Sequence, residues 1–113
     1  MLNIDKLREY GADVDSGLTR CMNNEGFYLK LVEKSLGDNS FEKLNEAIEA
    51  NDLDTAFEAA HALKGVMGNL ALSPIYDRVV EITELLRSRT EMDYHDLLNQ
   101  INSKKEELSE LCG

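Results

Sequence analysis

The chain has 113 residues, two cysteines, one proline and a formal net charge of −10. That charge argues against a phosphate backbone or an anionic membrane as partner, and the length suits one domain, residues 1–113, with a hydrophobic core of its own. No apolar run is long enough for a transmembrane span and the N-terminus has no signal-peptide pattern; a cytoplasmic protein with Cys21 and Cys112 as free thiols is expected.

Along the chain every segment reads as helix. Leu2, Ile4 and Leu7 predict a short helix from Met1 to Tyr10 that stops at Gly11. Val14, Leu18, Cys21 and Met22 recur at three- and four-residue intervals and predict a second, over Asp13 to Met22. Asn23 and Asn24 make a turn and a cap for Glu25 to Leu36, with Gly37 as its stop. Asp38, Asn39 and Ser40 then cap Phe41 to Ala50, striped by Phe41, Leu44, Ala47 and Ile48. Asn51-Asp52 breaks that helix and caps the next, Leu53 to Leu70. Ser73-Pro74 fits an N-cap followed by a first-turn proline, opening a helix that runs to Arg89. Asp93 can cap the last helix, which carries Leu97, Leu98, Ile101, Leu108 and Leu111. The last four helices are long and closely connected, so neighbours pack antiparallel. The expected fold is all-α: an antiparallel four-helix bundle with short extra N-terminal helices laid across one end.

The segment from Leu53 to Leu70 holds the chemistry. At about 100° per residue, Ala56, Leu63, Met67 and Leu70 cluster about 180° to 240° away from His61, with Ala59 and Ala60 beside them. His61 therefore faces solvent, together with Phe57, Glu58, Lys64, Gly65, Gly68 and Leu72. Glycine inside a helix costs roughly 1 kcal/mol against alanine. Two glycines on the histidine's own face suggest that something must approach the backbone there.

His61-Ala62-Leu63-Lys64-Gly65, followed by Gly68, Asn69 and Leu70, resembles the H-x-L-K-G signature of histidine-containing phosphotransfer (HPt) domains. The resemblance implies an all-helical domain of about this length and a histidine that passes phosphoryl groups between response-regulator receiver domains. It makes His61 the phospho-acceptor and Lys64 the cation that reaches the phosphoryl oxygens. Gly65 and Gly68 would clear space for the partner, with Phe57 and Leu72 as apolar docking rim. Many members have glycine where this chain has Ala71, a departure expected to be tolerated because Ala71 lies well off the His61 direction.

The implied partners are receiver domains, free or within a hybrid sensor kinase. The receiver supplies the aspartate and the Mg²⁺; the chain needs no cofactor of its own. It has neither G-x-x-x-x-G-K-[ST] nor G-x-G-x-x-G, so autophosphorylation from ATP, and hence classification as a kinase, is not expected. Beginning at Met1 and ending after the last helix, it reads as free-standing. Val14, Leu18, Met22 and Phe27 stand open between core and rim. His95 reads as a surface histidine at a helix start. Two rivals compete: a helical adaptor that binds receivers without transferring phosphate, and a metal bundle. Glu58 and His61 match one E-x-x-H element, but such sites need two, facing inward.

Overall fold

A computed structural model describes residues 1–113 as seven α-helices with no strand. They are α1 (Ile4–Tyr10), α2 (Val14–Arg20), α3 (Glu25–Ser35), α4 (Asn39–Glu49), α5 (Leu53–Asn69), α6 (Ser73–Arg87) and α7 (His95–Cys112). The first five each begin after an Asn or Asp whose side chain accepts a backbone N–H: Asn3, Asp13, Asn24, Asp38 and Asp52. Each such cap contributes about 1 kcal/mol. Asn3 and Asp13 lie inside the helices expected from Met1 and Asp13 and instead cap them; the last two helices also differ from expectation. Ser73 is already helical, and Leu72 holds the cap position without a side-chain bond; the turn before it has already set the helix, since Ile75 and Tyr76 both donate to the Leu72 carbonyl. Asp93 lies one residue outside the cap, at Tyr94, but still accepts the His95 N–H at 2.9 Å.

Five helices end in a left-handed residue: Gly11, Met22, Asn51, Ala71 and Arg89. Gly37 is not among them; α3 simply stops at Leu36 in right-handed geometry. The end of α5 matters most. Leu72 N–H donates to Met67 O at 3.0 Å and Ala71 N–H to Gly68 O at 3.1 Å, the paired bonds of a Schellman turn. Ala71 takes φ 55° at its centre. The turn drives the next residue back onto the helix, so Leu72 is 0% exposed and belongs to the core. This corrects its assignment to a docking rim: the helical wheel does not extend past Asn69. A glycine at the Ala71 position would serve backbone conformation rather than access to the histidine.

Ala56, Ala59, Ala60, Leu63, Met67 and Leu70 are all buried, the stripe that their spacing predicts. The small alanines let neighbouring helices come close, and α5 packs on both α4 and α6. α7 lies along α6 and returns to α4, where Asn102 donates to Asn45 at 2.9 Å. These four helices form the bundle. The three N-terminal helices cover the end at which α5 finishes and α6 begins. Asp13 N–H donates to Ala71 O at 2.9 Å, and the buried Tyr28 hydroxyl to Leu70 O at 2.7 Å. Burial raises the Tyr28 phenol to about 12, which keeps it a donor at neutral pH. Gly17 lets α2 meet α3, because a Cβ there would stand 2.5 Å from the Tyr28 ring. Cys21 is buried, Cys112 is half-buried, and both are free. No helix is long and apolar enough to cross a membrane.

At the opposite end His95 joins α7 to α4. Its Nδ1 lies 2.7 Å from Asp93 Oδ1 and its Nε2 2.7 Å from Glu49 Oε1. Carboxylates only accept, so filling both contacts requires the doubly protonated imidazolium. The Asp93 bond, then the Glu49 bond, raise the His95 pKa above its ordinary value.

Two outcomes are expected. Ala71→Gly should stabilise the fold: relief of left-handed strain, about 1–2 kcal/mol, outweighs the added backbone entropy of glycine, about 0.5–1 kcal/mol. A thermal melt checks this, and a lowered midpoint would contradict it. For His95 the raised folded-state pKa means that its contribution is complete below the unfolded value of about 6.5 and is lost as pH rises through the folded value. Urea midpoints of wild type and His95→Gln should therefore differ in acid and converge in alkali.

Candidate functional site

His61 lies at the middle of α5, and the helix's other side is the buried stripe, so the imidazole is exposed. Lys64 is half-buried on the following turn. Gly65 is exposed, and a Cβ built there meets nothing within 4 Å. Gly68 is different: its Cβ would stand 3.0 Å from the Tyr76 ring of α6. Of the two glycines, Gly65 keeps the surface open toward solvent, whereas Gly68 makes room for a neighbouring helix of the same chain.

An open concavity of about 470 Å³ runs along this face. Its walls are His61, Lys64, Gly65 and Gly68 from α5, Ser16 and Arg20 from α2, and Tyr76 from α6. The Arg20 guanidinium donates to the Gly68 carbonyl. Asp13 also lines the concavity, but its carboxylate is engaged as the α2 cap, accepting from Ser16 N–H and Oγ. On the other side of His61, the Phe57 ring stacks on the imidazole with centroids 5.8 Å apart. The Arg87 guanidinium lies over that same phenyl ring, 5.1 Å from its centroid. Two basic residues, Arg20 and Lys64, thus line the concavity with His61 in a protein of net charge −10, and Arg87 stands beyond the Phe57 ring, paired with Glu84.

The structure brings His61, Lys64, Gly65 and Gly68 onto one surface and leaves Phe57 beside them, half-buried. Leu72 is separated into the core. Val14 is core as well, Leu18 is half-buried, and Met22 and Phe27 are exposed at 85% and 46%. Arg20, Ser16, Tyr76 and Arg87 escape sequence reasoning. Arg20 meets α5 across 48 residues of chain, and no local spacing signals such a contact. No set of three or more His, Cys, Asp or Glu side chains converges as metal ligands.

A helical bundle with a solvent-facing histidine, a lysine one turn on and a basic concavity beside them is a phosphoryl carrier in form. Residues 34–111 match the family model described as Hpt domain, and the chain belongs to that family. Members carry phosphoryl groups on histidine within phosphorelays and meet receiver domains there. No curated protein and no solved structure matches the chain. The matched stretch begins within α3, so α2, which supplies Ser16 and Arg20 to the site, lies outside it.

The two glycines should separate on substitution. Gly68→Ala is expected to displace Tyr76, and the overpacking cost of about 1–3 kcal/mol should cancel or exceed the roughly 1 kcal/mol that alanine gains over glycine in a helix, so the urea midpoint should not rise. Gly65→Gln, which meets nothing and replaces a helix glycine, should raise the unfolding midpoint while slowing phosphoryl transfer from a receiver. A Gly65→Gln protein with wild-type transfer would remove the close-approach role.

Proposed function

We propose that this chain is a phosphorelay intermediate that accepts a phosphoryl group on His61 from the aspartyl phosphate of one receiver domain and passes it to another. The observation that carries this is the position of His61: exposed, in register with His61-Ala62-Leu63-Lys64-Gly65, and at the edge of the basic concavity. The Nε2 lone pair of the neutral imidazole attacks phosphorus while Nδ1 keeps its proton. An N–P bond forms, the acyl-phosphate P–O bond breaks, and the electron pair returns to the receiver's aspartate. The reverse sequence delivers the group to the next receiver.

Lys64 is the residue of choice to follow the phosphoryl oxygens. It stands three residues from His61 on the same face, and a helical side chain leans toward the N-terminus, here toward the histidine. Its ammonium is a mobile point charge suited to a group in transit. Gly65 admits the rim of the receiver's active site. The receiver brings the Mg²⁺ and the aspartate; the chain contributes no nucleotide site. Donor and acceptor are free receivers or the receiver of a hybrid sensor kinase, and the setting is cytoplasmic.

Labelled transfer tests the reading. Wild type incubated with a phosphorylated receiver and Mg²⁺ should gain acid-labile, alkali-stable label, and His61→Gln should gain none while its circular dichroism is unchanged. Label retained by His61→Gln would place the acceptor elsewhere. Receiver binding without label on the wild type would make the chain an adaptor.

A further inference from the structure

The helical wheel puts Phe57 on a docking rim, one turn before His61, but the structure engages its ring within the chain. The Phe57 and His61 rings lie 5.8 Å apart between centroids and within 17° of parallel. Arg87, from the neighbouring α6, places its guanidinium 5.1 Å from the phenyl centroid, and its Nε meets Glu84 Oε2 at 3.3 Å. The contrast with the other histidine is informative. His95 has both ring nitrogens held by carboxylates. His61 has neither nitrogen so held; its partner is a ring.

An exposed histidine on a helix has two free torsions, and its nitrogens sweep a wide arc. A hydrogen bond to one nitrogen would fix the ring but would commit that nitrogen. Stacking fixes the plane and leaves both nitrogens at the free edge. A cation over the face of the second ring holds that ring in turn. We propose that Phe57, held by Arg87, is a positioning residue for phosphoryl transfer: its ring orients the His61 imidazole so that a nitrogen meets the incoming phosphorus in line. The proposal rests on His61 being the acceptor. Little covalent chemistry is asked of the protein in such a reaction, so alignment is where a neighbouring side chain acts. Arg87 thereby ties the orientation of the acceptor to α6, a helix that carries no part of the H-x-L-K-G signature.

Single-turnover transfer from a labelled receiver, followed across receiver concentration, tests this on wild type, Phe57→Leu and Phe57→Tyr. Leucine keeps the bulk and loses the ring. Phe57→Leu should lower the maximal rate about 10-fold and leave the half-saturating receiver concentration within about 2-fold; Phe57→Tyr should restore the rate. In parallel, proton NMR should show ring-current shifts of the His61 imidazole protons in wild type and Phe57→Tyr, absent in Phe57→Leu. An unchanged maximal rate overturns the proposal, as does a rise confined to the half-saturating concentration, which would make Phe57 a docking contact. Should Phe57→Leu unfold, Arg87→Gln decides, since it leaves every buried position intact: a reduced maximal rate is expected, and a wild-type rate overturns the role. Absence of label on wild type removes the relay and this role together, whereas label on wild type with an unaffected Phe57→Leu removes the role alone.

Discussion

Three carbonyl oxygens at the C-terminal end of α5 organise this molecule. A helix leaves its last carbonyls without intrahelical partners. Here Leu70 O receives the Tyr28 hydroxyl, Ala71 O receives the Asp13 N–H, and Gly68 O, already bonded to the Ala71 N–H, also receives Arg20. All three donors come from the N-terminal helices. Each such bond contributes about 0.5–1.5 kcal/mol net; the Tyr28 bond is buried, and leaving the Leu70 carbonyl empty there would cost more. Once α2 and α3 are fastened there, the concavity beside His61 acquires its second wall, and the left-handed turn at Ala71 delivers Leu72 to the core and α6 to its place against Gly68.

That arrangement resolves a conflict in the electrostatics. The chain is strongly acidic, which repels a dianionic group at long range. Salt screens that repulsion beyond about 8 Å under physiological conditions, so the charges nearest His61 decide. Lys64 from its own helix and Arg20 from α2 line the concavity with His61, and the one carboxylate there, Asp13, is engaged as the α2 cap. The two cations come from two different helices, and only the fold brings them together. The acidic remainder of the surface is free to discriminate among partners, a role that complementarity plays better than affinity does.

The same structure divides the two histidines by their surroundings. His95 stands between two carboxylates, at a helix start far from the glycines, and serves as a tie between α7 and α4. His61 stands beside a ring, a lysine and an open floor. Residue type is identical; what differs is whether the nitrogens are committed.

The amino-acid sequence by itself determined the helices, because cap residues and apolar spacing act over a few residues. Asn24, Asp38 and Asp52 cap where they are expected, and the stripe from Ala56 to Leu70 is buried as its period predicts. It likewise placed His61, Lys64 and Gly65 on one exposed face, since positions three and four apart on a helix share a side. Tertiary structure alone decided the rest. Leu72 left the rim because a turn reverses the chain just before it, and a wheel knows nothing of turns. Gly68 proved to accommodate Tyr76, Phe57 to meet Arg87, and Arg20 to reach α5, all through contacts between segments distant in the chain. Such contacts depend on how helices pack, and packing is settled by the fit of whole surfaces rather than by the spacing of residues along any one of them.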